Sequence, residues 1–305
     1  MIVLGERHRF DEHELSILKE RFNSIDMITY HDTDSQEIIS QIDNLLSNRT
    51  KSMIVLNTAN RIPDPLLRHL THLEQRGITY ISIENFLEKY LLKCYIPADQ
   101  TSADFLEKIK PYGPFSLTLK ITEDLLSILA LSVFTIPIGL YSAWRIKKES
   151  PGDVFFRQTR IGKNGRKFTC YKFRSMHEGS HHDPYTREND PRIFPWGETM
   201  RKLRIDELPQ LWNVLKGDMH LIGPRAEWEI LVEEYENEIP YYQMRHTVRP
   251  GITGWAQVNY PYGYSTEDAR QKLMYDLYYI KNWNPILELK TIWRTVKVVL
   301  GKKGL

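Results

Sequence analysis

Short apolar runs alternate with helix-period stretches over the first hundred positions. Ile2–Leu4, Ile25–Tyr30, Ser52–Leu56 and Ile78–Ile83 read as strands. Glu12–Phe22, Gln36–Leu46, Pro65–Gln75 and Phe86–Leu92 read as helices between and after them. Strands that alternate with helices need crossover connections, so residues 1–100 are predicted to form a small parallel-sheet domain of the α/β class. The first strand runs into Gly5-Glu6-Arg7-His8, not into the Gly-x-Gly-x-x-Gly turn that lets a pyrophosphate approach the backbone. This domain is therefore read as a scaffold, partner-binding or regulatory unit rather than a cofactor site. Pro97, Pro111, Gly113 and Pro114 mark a linker, drawn at 101–119.

The pattern then changes. Leu125 to Trp144 is twenty residues without one Asp, Glu, Lys, Arg or His, and a straight helix of that length covers about 30 Å, the thickness of a hydrocarbon core. Pro137 deletes a helix hydrogen bond and, with Gly139, favours a kink past the middle. Lys120 precedes the segment and Arg145, Lys147 and Lys148 follow it, as basic anchors at both ends. Met1–Glu6 carries neither the basic region nor the apolar core of an export signal, so both ends are expected on the cytoplasmic side. Residues 120–148 are then a re-entrant membrane helix that breaks near Pro137. At the tail, Leu289, Ile292, Trp293, Val296, Val299 and Leu300 recur at helical spacing against Lys290, Arg294 and Lys297. That segment reads either as an amphipathic helix in the headgroup region or as a core-packing helix.

Charge sharpens this picture. The 41 Lys and Arg against 39 Asp and Glu leave a formal +2, which does not announce a nucleic-acid binder. Between Arg145 and Arg204, however, fifteen basic residues face seven acidic ones, the balance expected beside phosphates or an anionic membrane surface. Cys94 and Cys170 make neither a disulfide framework nor a C-x-x-C pair.

Four clusters in the second half could carry chemistry. Strands at Val154–Gln158 and Phe168–Met176 flank a Gly162–Gly165 hairpin, and period two puts Lys172 and Arg174 on one face. Leu203–Gly217 reads as one helix, with Asp206 at its N-cap, Pro209 in its first turn and Gly217 at its stop. Capping alone would account for Asp206. The helix terminus would also keep it ionised, the state that attack on phosphorus requires. Glu207 beside it suits Mg²⁺ binding or proton transfer. The strand at His220–Ile222 ends in Gly223-Pro224-Arg225, and Arg249-Pro250-Gly251 begins another turn, so both present arginines able to fork onto phosphate oxygens. His177, His181, His182 and Asp183 lie in a polar loop with no closing ligand set and are not read as a metal site.

In order, Asp153-Val-Phe-Phe-Arg-Gln158, Lys172-Phe-Arg-Ser-Met176, Asn189-Asp-Pro-Arg192, Asp206-Glu-Leu-Pro-Gln-Leu-Trp-Asn-Val-Leu-Lys-Gly-Asp218, Leu221-Ile-Gly-Pro-Arg225 and Arg249-Pro-Gly-Ile-Thr-Gly-Trp-Ala-Gln-Val-Asn259 form a series. Together they resemble the bacterial sugar transferase family, the monotopic polyprenyl-phosphate phosphoglycosyl transferases, from Lys120 to the C-terminus. The stretch Pro261–Ala269, with Lys272-Leu and Tyr275–Lys281, is similar to members serving exopolysaccharide assembly. The N-terminal domain resembles the Rossmann-like module of longer members, without the four transmembrane helices that usually precede it. The resemblance implies a mixed, mainly helical α+β catalytic domain over 149–305, ending in an amphipathic helix.

It also implies a chemistry. Asp206 would attack the β-phosphate of a UDP-sugar, expel UMP and pass the phosphosugar to undecaprenyl phosphate. Mg²⁺ would be held by Asp206 and Glu207. Lys172, Arg174, Arg192, Arg225, Arg249, Gln257 and Asp276 are the residues carried over for substrate contacts, Asp276 in a supporting role. The implied place is the cytoplasmic face of the bacterial inner membrane, among its lipids, with a homodimer left open and no nucleic acid as partner. Three positions depart from the family pattern: Ile136 replaces the serine before Pro137, Ile121 a basic residue, and Ala226 the proline after Gly-Pro-Arg, loosening the turn that aims Arg225. Two other readings stand beside this one. A glycosyltransferase would release UDP, and a membrane-tethered interaction protein would use residues 1–100 as its working module.

Overall fold

The first strand of the chain is the inner strand on which its N-terminal sheet is built. β1 (Ile2–Leu4) pairs in parallel with β2 (Asp26–Ile28) on one side and β3 (Met53–Leu56) on the other, and β4 (Thr79–Ser82) extends the sheet beyond β3, giving the order β2-β1-β3-β4. The connections are α1 (Glu12–Lys19), α2 (Ser35–Leu46) and α3 (Asp64–Gln75). Asp11 opens α1 with a capping box to Glu14. Ile2, Leu4 and Ile54 of the sheet pack on Ile38, Ile42, Leu66 and Leu70 of the helices, as the alternation of apolar runs and amphipathic stretches predicts. The turn after β1 folds onto β3: Asn57 donates from its side-chain amide to the carbonyls of Gly5 and His8. A Cβ at Gly5 would lie 2.4 Å from the Asn57 carbonyl oxygen, and Gly5 has φ +102°, so only glycine fits there.

The helix expected at Phe86–Leu92 divides. It is a short α4 (Ile83–Phe86) followed by a π-helical turn, Leu87–Leu91, which Leu92 stops in the left-handed region at φ 56°. The computed structural model describes residues 1–29, 34–47, 52–58, 62–97, 103–180, 190–261, 263 and 265–301. It divides into two units, Met1–Tyr95 and Ile96–Leu305.

In the second unit α5 (Ala103–Lys108) leads to α6 (Pro114–Glu149). The long helix thus begins within the stretch drawn as linker, because Gly113 is extended and Pro114 takes the first helical position, where its missing N–H costs nothing. α6 is helical on both sides of Pro137, so the break expected there is at most a bend within one helix. Its long apolar run continues unbroken past the proline, and only one backbone bond is lost.

Lys120 does not serve as a headgroup anchor. It is 1% exposed and donates to Glu288 at 2.5 Å. One turn on, Asp124 takes the backbone N–H of Leu221 and pairs with His220 Nδ1. The N-terminal part of α6 is thereby clasped to the body of the unit, because a buried ammonium or carboxylate must be paired.

After α6 come the antiparallel hairpin β5 (Phe155–Ile161) and β6 (Lys167–Phe173), then α7 (Pro195–Lys202), a 3₁₀ turn Ile205–Glu207 and α8 (Gln210–Lys216). A two-stranded parallel ladder, β7 (His220–Ile222) with β8 (Gly251–Thr253), brackets α9 (Glu229–Glu238) and a 3₁₀ segment at Tyr242–Thr247. The unit ends with α10 (Trp255–Asn259), α11 (Thr266–Asn282) and α12 (Pro285–Leu300). Two apolar clusters fix the middle of it. Ile146 of α6 packs with Phe173, Phe194 and Met200, joined by Ile205 and Leu208. Ile128 packs with Val214 and Met219, joined by Leu211 and Leu221. The residues on either side of Asp206-Glu207 are therefore plugged into the core.

Candidate active site

Asp206 is not an N-cap. It lies inside the 3₁₀ turn, and α8 starts only after Pro209. The proline has no N–H to join the ladder, and Arg204 reverses the chain before the turn in the left-handed conformation, φ 58°. Gly217 does end α8, at φ 81°. The segment is a tight corner locked by Ile205 and Leu208, with two adjacent carboxylates on it.

The two carboxylates have opposite surroundings. Glu207 is buried and its Oε1 accepts from Lys172 Nζ at 2.9 Å, with Arg225 at 3.4 Å and Arg204 at 3.7 Å. Burial works to raise its pKa, but the charges of Lys172, Arg225 and Arg204 win and hold it well below the usual carboxylate range. Asp206 has no such partner. Its Oδ1 is buried without a hydrogen bond, and burial raises its pKa despite the nearby Lys172 charge, with Glu207 adding to the rise. The corner thus holds one committed anion and one carboxylate free to react. The helix terminus expected to keep Asp206 ionised is not there; Lys172, Arg201 and Arg204 supply the opposing charge instead.

The hairpin register explains how Lys172 arrives. Phe156 faces Lys172 and Arg160 faces Phe168 across the ladder, so Lys172 and Arg160 share the face turned to the acidic pair. Arg160 was not singled out from the sequence, because only the register reveals its alignment with Lys172. Its guanidinium donates to the Ala226 carbonyl and lies beside Arg225 and Glu207, and burial lowers its pKa. Arg160, Lys172, Arg201, Arg204 and Arg225 surround two carboxylates. Such an excess of cations suits a substrate bearing several phosphate charges.

The other residues carried over from the family pattern are spread more widely. Arg174 follows the last residue of β6; it is buried and donates to Ser150 and to the Asp153 carbonyl, tying the end of α6 to the hairpin. Arg192 pairs with Asp190. Arg249 lies against Gly217, at the far end of α8 from Asp206. Gln257 holds a buried, unpaired Oε1 beside Gly254. Asp276 accepts from Arg245 at 2.8 Å. His177 packs on Phe194, and His181, His182, Asp183 and Asn189 lie outside the described residues.

The opposite face of the hairpin lines a groove of about 430 Å³. Phe155, Arg157, Tyr171 and Phe173 form one wall, Thr135, Ile136 and Gly139 of α6 another, and Leu208, Pro209, Leu211 and Trp212 the third. It begins two residues from Asp206. Its lining is apolar apart from Arg157 and two hydroxyls, and Trp212 is 58% exposed at its edge. Apolar side chains also stand exposed along α6, from Leu125 through Leu129, Phe134 and Leu140 to Trp144, and on α12 at Ile286, Leu289, Trp293 and Val296. Exposed apolar surface on that scale marks an interaction face.

The donor set can be tested against Mg²⁺. Among the described residues no three His, Cys, Asp or Glu side chains gather closely enough to hold a metal alone. Asp206 Oδ1 is a buried hard oxygen with no hydrogen-bond partner, and Glu207 is its neighbour. That pair fits a cation which takes one or two carboxylates and completes its shell with water and substrate phosphate.

Residues 115–302 match the family model described as bacterial sugar transferase. A UDP-N-acetylgalactosamine-undecaprenyl-phosphate N-acetylgalactosaminephosphotransferase of Aeromonas hydrophila is 42% identical over 211 residues, 68% of this chain and 50% of that protein. UDP-glucose:undecaprenyl-phosphate glucose-1-phosphate transferases of Xanthomonas campestris pv. campestris and Caulobacter vibrioides are 40% and 37% identical, over 62% and 67% of this chain and 40% and 79% of their own lengths. The chain thus spans about half the length of the first of these relatives and less of the second.

Proposed function

Since this chain belongs to the bacterial sugar transferase family, we propose that it moves a sugar 1-phosphate from a UDP-sugar to undecaprenyl phosphate and releases UMP. The observation that carries this reading is the split carboxylate pair: an unpartnered, buried Asp206 oxygen beside a Glu207 already neutralised by Lys172. Two ionised, fully paired carboxylates would suit a structural role. One held in reserve suits a nucleophile.

An oxygen of ionised Asp206 attacks the β-phosphorus of the UDP-sugar. The bond from that phosphorus to the bridging oxygen breaks, UMP leaves with the electron pair, and a phosphosugar remains bonded to the carboxylate. A phosphate oxygen of undecaprenyl phosphate then attacks the same phosphorus. The bond to Asp206 breaks, the carboxylate is regenerated, and the product is a lipid diphosphate sugar. Lys172, Arg225 and Arg160 hold the diphosphate oxygens while charge moves between them. Asp206 and Glu207 would hold Mg²⁺, which would supply neutralisation of the diphosphate charge.

The acceptor enters from the bilayer. α6 dips into the cytoplasmic leaflet of the inner membrane, bending at Pro137, and α12 lies along the surface with its exposed apolar side chains downward. The groove between α6 and the hairpin takes the first isoprene units and brings the lipid phosphate past Arg157 toward Asp206. The place served is the first membrane step of exopolysaccharide or other glycoconjugate assembly.

The test is turnover with a panel of UDP-sugars and undecaprenyl phosphate, reading the released nucleotide. UMP is the expected product; UDP would mark ordinary glycosyl transfer and end the proposal. Enzyme quenched during turnover without acceptor should yield a peptide containing Asp206 that is heavier by one sugar phosphate, and the Asp206→Asn protein should yield neither that peptide nor UMP.

A further inference from the structure

We propose that Arg245 is a positioning residue for Arg225, acting on the backbone of the turn that presents it. The inference rests on the reading of Arg225 as a phosphate contact in the reaction above.

Arg225 follows Gly223-Pro224 at the end of β7, and its guanidinium faces Glu207. Three successive carbonyls of this turn accept hydrogen bonds from elsewhere in the fold. Arg245 Nη2 donates to Arg225 O at 2.9 Å, Arg160 Nη1 donates to Ala226 O, and the Ile161 backbone N–H donates to Glu227 O at 3.2 Å. Arg245 is itself fixed: Nη2 also meets Asp276 Oδ2 at 2.8 Å, Nη1 meets the Tyr242 hydroxyl at 2.5 Å, and its guanidinium lies 5.1 Å from the centre of the Tyr242 ring. The looseness expected from Ala226 in place of proline is therefore not found. Side-chain clamps restrain the turn that a proline ring would otherwise stiffen.

A buried ion pair is a poor way to gain stability, since well-packed apolar residues often do as well. What Arg245 supplies that apolar residues cannot is direction. Its planar fork meets a carbonyl, a carboxylate and a hydroxyl at once, and so sets the height and angle from which Arg225 reaches the site. Lysine keeps the charge but offers one point of attachment, so Arg245→Lys separates charge from geometry. An error of about 1 Å in placing a catalytic contact lowers the rate by about 100-fold.

The experiment measures UMP release by the full chain in detergent, varying the UDP-sugar and the lipid separately. Arg245→Lys should lower kcat/KM for the UDP-sugar by about 10- to 100-fold and leave the KM for undecaprenyl phosphate within about twofold, with the melting temperature near that of the parent. Ala226→Pro added to Arg245→Lys should recover much of the loss, because it stiffens the same turn. The parallel bridge between Arg225 and Gly251 uses the Ala226 N–H, so Ala226→Pro alone is measured first and the recovery is read against it. Parental kinetics for Arg245→Lys, or a loss that follows the melting temperature and is not recovered by Ala226→Pro, would overturn the inference. Arg225→Ala serves as the separate arm. Should it retain parental kinetics, the reading of Arg225 fails; should it lose activity while Arg245→Lys does not, only the positioning role fails.

Discussion

Lys172 gives its hydrogen bond to Glu207, 2.9 Å from Oε1, and meets the adjacent Asp206 only through its charge. One lysine thereby sets two carboxylates apart: it pins the first as an anion and lowers the cost of ionising the second. Replacing Lys172 with Met removes both effects. The rate of UMP release is expected to fall by about 100-fold, the order seen when one preorganised electrostatic contact is lost. Arginine at this position restores the charge but not the single-point contact, and should recover only part of the rate.

The pH profile carries a sign. Burial raises the Asp206 pKa, so the nucleophile keeps its proton to a higher pH than an ordinary aspartate, which titrates near about 3.9. The acid limb of kcat/KM for UMP release should therefore lie above that value, and it should move higher still in Lys172→Met, where the charge opposing burial is gone. A limb that stays in place in the variant would show that Lys172 does not govern Asp206. Glu207 works the other way: its depressed pKa contributes stability above its unfolded value of about 4.3, and that contribution is lost as pH falls below it.

The groove makes a prediction about the acceptor alone. A Cβ at Gly139 would lie 3.6 Å from the Phe173 ring, so alanine is accommodated there. Leucine at the same position fills the groove. Gly139→Leu should raise the KM for undecaprenyl phosphate at least about tenfold, the scale of losing a few buried methylenes, and leave the first half-reaction with UDP-sugar unchanged. Pre-steady-state UMP release separates the two.

Lys120 distinguishes a headgroup anchor from a buried strut. As a partner of Glu288, which also accepts from the Tyr279 hydroxyl and the Trp283 indole, its replacement by Met leaves a carboxylate buried without its cation. Stability should fall by about 3–5 kcal/mol, read as a lower melting temperature, while the fraction of protein sedimenting with membranes stays unchanged. An anchor would give the reverse result.

Much of this protein is written in local pattern. The order of strands and helices in residues 1–95, the long apolar helix and the Asp206-Glu207 pair all follow from spacing along the chain, because periodicity and missing charge depend on near neighbours alone. The tertiary structure decided where each charge ended up. Lys120 looks like a snorkelling anchor and Arg174 like a phosphate contact until Glu288 and Ser150, 168 and 24 positions away, are brought beside them. Asp206 looks like a helix cap until Ile205 and Leu208 lock it into a corner. Arg160 and Arg245 went unremarked because their partners lie 66 and 20 residues distant. A side chain's charge is a property of its own atoms, but its pKa and its task depend on burial and on which groups of opposite sign the folded chain brings within a few ångströms of it.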